Sequence, residues 1–325
     1  MSSSRCIAAA CAALTLAFAA TPSYAQGDWP GRQPIRLVYP FPPGGSDGVV
    51  RVFGERLSQA LGTPVIVDNK GGAGGNIGGD FVAHAPADGY TLLVGTNGPL
   101  AINPSLYREM KYDPQKDFVP ITGLVSAPQV LFVNPSVPAN SVAELIAYSK
   151  SKPTALTYGS VGQGSASHLT VELFKSLTGA QITHVPYKGA GPAITDVLGG
   201  QISMMTVIAG SVMPQVKAGK VRALATTGTR QSSIVPGVPT LRELGIPLDA
   251  SAWLALVAPV GTPKEIVARL NAESGKILRD PAFIEKTAGM GFEIWYTSPE
   301  ELAATMRRER DMWGKVIKET GAKVD

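Results

Sequence analysis

The chain has 325 residues, with 29 Lys and Arg against 25 Asp and Glu and a formal net charge of +4. This mildly basic balance favours small anionic ligands through the long-range field. The basic residues are not clustered among aromatic ones, which argues against a nucleic-acid-binding protein. A chain of this length usually divides into two lobes rather than forming one core.

The first 25 residues have the pattern of a secretory signal peptide. Arg5 supplies a positive n-region, residues 7–20 form a short apolar run rich in alanine and leucine, and residues 23–25 form a small-x-small cleavage site. We therefore expect cleavage after Ala25 and a periplasmic location. Both cysteines lie in this segment, so we expect a mature chain without a disulfide, a thiol nucleophile or a thiolate metal site.

Short apolar runs alternate with helical patterns along the rest of the chain. Buried parallel strands are predicted at residues 35–39, 65–67, 91–94, 130–133, 182–185 and 221–225. Capping boxes predict helix starts at Ser141, Thr262 and Ser298, the last two with proline at the first helical position. Strands that alternate with helices predict an α/β protein whose ligand loops lie at the carboxyl ends of the strands.

A glycine-rich turn follows the first predicted strand. Prolines and glycines within residues 40–45 end the strand, and an apolar stripe with helical spacing begins after Ser46 and Asp47. A strand, a glycine turn and a helix in this order direct backbone N–H groups at the turn, where the helix dipole adds partial positive charge. This geometry predicts an anion site. The alternative is an ordinary turn in which Asp47 caps the helix.

Known motifs can be compared with this turn. No Lys-Ser or Lys-Thr follows its last glycine, which excludes a phosphate loop, and no glycine trio here or at residues 71–79 has the dinucleotide spacing. Residues 44–48 do match the G-x-S-x-G nucleophile elbow, with Ser46 as nucleophile and His168 or His184 as base. However, this elbow would lie on the first strand, and no HGGG-type segment precedes it. A serine hydrolase is therefore kept as the alternative to a non-enzymatic binding protein.

Three further loops follow predicted strands, at residues 95–98, 159–165 and 186–189. The second resembles the first turn in its chemistry, because it combines small residues, free N–H groups and two hydroxyl groups with a helix N-terminus. Two glycine-serine loops more than 100 residues apart suggest that an anion is held from two lobes.

These loops lie within a set of segments that resembles one protein family. The set includes WPGRQPIRLVYPFPPGG, VIVDNKGGAGGNIG, DGYTLLVGTNGPLAINPSLY, YGSVGQGSASHLTVELFK, HVPYKGAGPAITDVLGGQI and the closing TSPEELAATMRRERDMWGKVIKETG. It resembles the Bug-type periplasmic solute-binding proteins of tripartite tricarboxylate transporters, and the resemblance covers essentially all of the mature chain.

The resemblance implies a type II periplasmic-binding-protein fold, the Venus-flytrap fold, with two α/β lobes joined by two crossover segments. The first lobe would be discontinuous, comprising residues 26–127 and 252–325, and the second lobe would comprise residues 128–251. A carboxylate is expected in the cleft between them. The predicted ligand-binding positions are Phe41, Gly44, Gly45, Ser46, Thr96, Asn97, Ser160, Gly162, Gly164, Ser165, Tyr187 and Thr206.

Two departures from the family pattern bear on the ligand. Only Ser46 separates Gly45 from the helix-opening Asp47, where the family usually has two residues, so the first loop is shortened. Where relatives often continue MMFDN, this chain has residues 204–206 as Met-Met-Thr. That change predicts a less polar distal pocket, compatible with a larger or aromatic acid.

The resemblance also implies what the protein does. We expect it to capture a small di-, tri- or aromatic carboxylate and deliver it to the membrane permease subunits of a tripartite transporter. A sensory role, in which a receptor kinase is the partner, is the alternative. No cofactor is expected, and the three histidines, His84, His168 and His184, are too scattered and lack the cysteine partners for a zinc site. We expect a monomer.

Overall fold

The computed structural model describes residues 29–31, 33–44 and 46–322. The predicted signal peptide, its cleavage site after Ala25 and the candidate site residue Gly45 lie outside these residues. The strands, in chain order, are β1 Ile35–Tyr39, β2 Val65–Asn69, β3 Thr91–Thr96, β4 Phe118–Ala127, β5 Gln129–Val133, β6 Thr157–Ser160, β7 Thr183–Pro186, β8 Met204–Ile208, β9 Arg222–Thr226, β10 Ala252–Pro259 and β11 Glu293–Ile294.

Helices connect most of these strands, as an α/β chain requires. The α-helices are α1 Asp47–Leu61, α2 Asn76–Ala83, α3 Asn103–Leu106, α4 Val142–Ser151, α5 Ala166–Thr178, α6 Ala190–Leu198, α7 Ala209–Lys217, α8 Lys264–Leu278, α9 Pro281–Gly289 and α10 Pro299–Thr320. A 3₁₀ turn at Ala73–Gly75 precedes α2, and a π-helical turn at Gly98–Ile102 precedes α3.

The chain folds into two lobes, each built on its own sheet. The first sheet has the strand order β11-β4-β10-β3-β1-β2, and the second has the order β7-β6-β8-β5-β9. In the first sheet β1 pairs in parallel with β2 and β3, whereas β10 runs antiparallel to β3 and β4. In the second sheet β6 pairs in parallel with β7 and β8. The predicted two-lobed α/β fold is thus confirmed.

The prediction of parallel pairing is wrong for two strands. β5 pairs antiparallel with β8 and with β9. The cause is the crossover: β4 ends at Ala127 and β5 begins at Gln129, so only Pro128 separates a strand of one sheet from a strand of the other. β5 and β10 are each the first strand after a passage between the sheets, and each runs against its neighbours. β2 is an edge strand, and its Ile66 is 56% exposed rather than buried.

Helix starts show how far local sequence determines structure. Ser298 and Glu301 form the predicted capping box at the start of α10. Ser141 accepts the Glu144 N–H at the start of α4, while the Glu144 carboxylate takes the N–H of the preceding Asn140. The prediction is wrong for Thr262, whose hydroxyl donates to the Pro259 carbonyl, so α8 begins without a side-chain cap.

Helix α10 packs into the cores of both lobes. Met306, in its first half, is buried with Trp253 in a cluster of first-sheet residues. Trp313 and Ile317, in its second half, are buried in a cluster formed mainly by the second sheet and its helices. The predicted lobe boundaries place all of α10 in the first lobe. Those boundaries remain a proposal, because α10 packs against both lobes.

No helix among the described residues is long and apolar enough to cross a membrane. The same part of the chain has no group of three or more His, Cys, Asp or Glu residues placed to hold a metal ion.

Candidate functional site

The first predicted loop joins β1 to α1 in the first lobe. Gly44 has a φ of +115°, a conformation that favours glycine, and its carbonyl accepts the Asp47 N–H at 3.1 Å, which closes the turn. Ser46 occupies the N-cap position with helical backbone angles, and its side chain caps no N–H group. The predicted order of strand, glycine turn and helix N-terminus is therefore present.

Asp47 is not the N-cap, contrary to the alternative interpretation of this turn. It is the first helical residue, with its side chain only 8% exposed, and its carboxylate accepts bonds from Arg51 Nε at 2.7 Å and Asn69 Nδ2 at 2.8 Å. Asn69 Nδ2 also donates to the Phe41 carbonyl, which ties the loop to β2. Burial raises the pKa of the Asp47 carboxyl, but the bonds from Asn69 and Arg51 outweigh it and leave that pKa lowered. Asp47 therefore supports the loop as a carboxylate.

A second glycine-rich segment packs beneath this loop. A Cβ on Gly78 would lie 2.7 Å from Pro40 Cβ, and one on Gly75 would lie 3.3 Å from Phe41. The Phe41 ring also contacts Tyr39, with centroids 5.5 Å apart. Sequence reasoning missed this role for residues 71–79. The signal was available, because glycines at that density allow close backbone approach.

Thr96 and Asn97 lie at the end of β3, on the same side of the first sheet as the segment just described. Asn97 is 6% exposed. A Cβ on Gly98 would lie 3.5 Å from Thr96 Oγ1 and 3.6 Å from the Gly74 carbonyl, so the β3 end and the glycine segment are neighbours. The structure thus brings the first-lobe candidates together along the carboxyl ends of β1 and β3.

The second predicted loop joins β6 to α5 in the second lobe. Gly162 and Gly164 have φ values of +142° and +72°, and Ser165 caps α5 by accepting the His168 N–H. The expectation of free N–H groups is wrong for much of this loop. Gly162 N donates to Ser160 Oγ, Gly164 N donates to His168 Nδ1, and Ser165 Oγ donates to the Gly162 carbonyl. The loop is held by its own hydrogen bonds.

Tyr187 and Thr206 adjoin this loop in different ways. Tyr187 N donates to the Ser160 carbonyl, and its hydroxyl donates to Asp196 at 2.6 Å. Burial, with the bond to Asp196, raises the pKa of Tyr187 to about 12. Thr206 is only 2% exposed and donates to the Ser167 carbonyl. In this structure Thr206 is bonded to the first turn of α5, and its predicted contact with a ligand remains a prediction.

The two lobes also touch near the helix that follows β8. A Cβ on Gly291, which follows α9 in the first lobe, would lie 2.6 Å from Gly210 Cα in α7 of the second. Glu293 in β11 accepts bonds from Ser232 Oγ at 2.6 Å and from Ser233 N at 2.9 Å. These contacts define an interlobe seam, formed by Gly210, Ser232, Ser233, Gly291 and Glu293.

The hydrogen bonds of His168 and His184 show whether either histidine could activate Ser46. His168 Nδ1 bonds to the Gly164 N–H, and His184 Nε2 bonds to Ser160 Oγ at 2.7 Å. Among the described hydrogen bonds neither histidine reaches Ser46. The geometry therefore offers no assembled Ser-His pair at the elbow.

Comparison with known proteins assigns the chain to a family. The model of the tripartite tricarboxylate transporter family receptor matches residues 49–322. Protein BugT of Bordetella pertussis is 40% identical over 299 residues, 91% of each chain. The structure of R. palustris Rpa4515 with adipate is 39% identical, with a TM-score of 0.76 over 91% of this chain and 100% of that one.

A second ligand-bound structure from R. palustris, MatC with bound malate, is 32% identical, with a TM-score of 0.71 over 89% of this chain and 100% of that one. The family match covers both predicted loops of the second lobe, whereas β1, the glycine turn and the first two residues of α1 precede it. The chain belongs to the tripartite tricarboxylate transporter receptor family.

Proposed function

We propose that the protein is a periplasmic receptor that binds a small organic carboxylate between its lobes and delivers it to the permease subunits of a tripartite transporter. The observation that carries this proposal is the pair of glycine loops. One precedes α1 in the first lobe and the other precedes α5 in the second. Next to the helix N-terminus, the first has Gly44 at positive φ and the second has Gly162 and Gly164.

The relatives support the carboxylate class. Adipate and malate, the ligands named for two structures of similar sequence, are both dicarboxylates, and the receptor family is named for tricarboxylate transport. A carboxylate held by both loops would bind the closed arrangement better than the open one, which is what a ligand needs to shift a hinge equilibrium. We propose that aliphatic dicarboxylates are the first class to test, with aromatic acids second.

The test is a thermal-shift screen of the signal-free chain against mono-, di-, tri- and aromatic carboxylates, including adipate and malate. At a ligand concentration 100 times the dissociation constant, stabilisation should reach about 2.7 kcal/mol. Small-angle scattering of the best hit should show a smaller radius of gyration on binding. A flat response across every acid would refute the carboxylate proposal.

A matched pair of variants tests whether the second loop holds the ligand. Gly164→Val should abolish most binding, because the residue is buried with a φ of +72° and a side chain there would block approach to the loop. Gly219→Val is the control, since Gly219 has a φ of +67° but open space around its Cβ position. Wild-type affinity in Gly164→Val would show that the ligand lies elsewhere.

The enzymatic alternative has its own test. A fluorophosphonate probe should leave Ser46 unlabelled, and Ser46→Ala should lower affinity by about 0.5–1.5 kcal/mol, the contribution of one neutral hydrogen bond. Stoichiometric labelling would establish a hydrolase.

A cross-linking experiment distinguishes a transport role from a sensory role. Cross-linking of the protein to a multi-span permease supports the proposal, whereas cross-linking to a receptor kinase supports the alternative.

A further inference from the structure

Two histidines behind the second-lobe loop form a stacked pair. The rings of His168, on α5, and His184, on β7, have centroids 4.1 Å apart and an interplanar angle of 15°. The Tyr158 ring also stacks against His184, with centroids 4.8 Å apart. His168 is only 4% exposed. No local sequence pattern predicts this pairing, because the two residues come from separate elements.

Each ring bonds to a different end of the loop. Gly164 N donates to His168 Nδ1 at 3.0 Å. A backbone N–H can only donate, so His168 Nδ1 must be unprotonated and the ring must be neutral. At the other end, His184 Nε2 and Ser160 Oγ are 2.7 Å apart, and Ser160 Oγ in turn accepts the Gly162 N–H.

We propose that His168 and His184 are positioning residues for the Ser160–Ser165 loop, which keeps its ligand-competent shape only while His168 is neutral. A proton added at His168 Nδ1 would oppose the Gly164 N–H donor and break that bond. Two imidazolium rings stacked at 4.1 Å would also repel each other. The inference rests on the proposed function in one respect, namely that this loop holds the ligand.

The charged groups around the pair act in opposite directions, because Glu172 favours protonation of the rings and Lys175 disfavours it. Glu172 and Lys175 lie on α5 itself, and Glu172 Oε1 already accepts bonds from the Tyr158 hydroxyl at 2.6 Å and from Lys175 Nζ at 2.7 Å. β8 packs against α5 with only non-ionisable side chains at residues 204–206. Glu319 of α10 bonds to Ser176, two turns of α5 from His168.

Burial lowers the pKa of His168, and Lys175 lowers it further, while Glu172 opposes them. Burial and the neighbouring His168 ring lower the pKa of His184 to about 4. The ordered loop holds neutral rings, whereas a loosened loop lets them approach their ordinary pKa of 6.5. Acidification below that value therefore favours the loosened loop.

The test compares His168→Ala with His168→Asn, because Asn Oδ1 can take the place of Nδ1 as an acceptor and does not titrate. Hydrogen exchange is measured at about pH 7.5 in the peptide covering residues 159–169, together with the melting temperature of each variant. We expect roughly tenfold or faster exchange in His168→Ala, because the Gly164 amide loses its partner. Exchange in His168→Asn should stay near the wild-type rate.

A second arm lowers the pH to about 5.5, where histidine titrates, and corrects for intrinsic exchange. Loop protection should fall in the wild type and stay constant in His168→Asn. Equal protection in His168→Ala and wild type, failure of the asparagine to rescue, or no pH effect in the wild type would each overturn the inference. Adipate affinity is measured in parallel: if no carboxylate binds but the exchange pattern holds, the proposed function fails and the loop inference stands.

Discussion

Glu309 provides a sharp test of how the lobes are joined. It lies on α10 near the buried Trp253 and Trp313, and it is 8% exposed. Its Oε1 accepts the Trp253 Nε1–H at 2.7 Å. Its Oε2 has no hydrogen bond of normal geometry in the described part of the chain. Burial is the largest influence and raises the pKa of Glu309 to about 8, with Asp249 adding to it and the Trp253 donor opposing it.

The magnitude follows from linkage. The folded state keeps a proton that the unfolded state releases above the ordinary pKa of 4.5, so the folded state loses stability as the pH rises from that value to about 8. At about 1.4 kcal/mol per pH unit, the loss reaches at most about 5 kcal/mol. Glu309→Gln keeps the acceptor for Trp253 and removes the titration. The variant should equal the wild type near pH 5 and be several kcal/mol more stable near pH 9.

Urea unfolding of both proteins across this pH range measures the effect. The difference between the two curves isolates Glu309, because the other titrating groups are the same in both. Glu300→Gln, at an exposed position in the same helix, is the control and should differ from the wild type by less than about 0.5 kcal/mol at any pH. Parallel curves for Glu309→Gln and wild type would refute the protonated, buried carboxyl.

Two further predictions concern the seam and the first loop. Gly291→Ala should lower the free energy of unfolding, measured in urea, by about 1–3 kcal/mol more than Gly245→Ala does. Both glycines have φ values above +80°, but only at Gly291 would the added Cβ press against Gly210. Equal losses in the two variants would show that the seam is loosely packed. Asp47→Asn should cost about 1.5–3 kcal/mol at neutral pH through its bond with Arg51. That cost should shrink as the pH falls below the ordinary Asp pKa of 3.8, since the folded pKa is lowered, and a pH-independent cost would contradict the ion pair.

The sequence predicts those parts of the fold that depend on local pattern. The strand at residues 35–39 matches the structure, and Ser298 caps α10 as its spacing requires. Strand direction in the second sheet was not predictable from apolar runs. A run such as residues 130–133 looks the same in either direction, and its pairing is decided by the crossover through Pro128.

In the candidate site, too, local sequence predicts some features and not others. The turn at Gly44 and the serine cap at Ser165 are encoded within a few residues, so the spacing of glycine and serine is enough to find them. The contact between His168 and His184 depends on how α5 packs on β7, which no local pattern records. The hydrogen bond from Asn69 to Asp47 was missed for a related reason. The capping rule describes one helix, whereas Asn69 comes from a neighbouring strand.

Helix α10 limits the motions that can bring the two loops together. Because closely packed interiors do not deform continuously, any movement of the lobes must keep Met306 buried against one sheet and Trp313 against the other. The freedom that remains lies in the short connections, such as Pro128 between β4 and β5. A ligand that bridges Ser46 and Ser165 would therefore have to supply only the free energy of bending these connections, not that of opening a core. This favours closure as a rigid-body hinge motion.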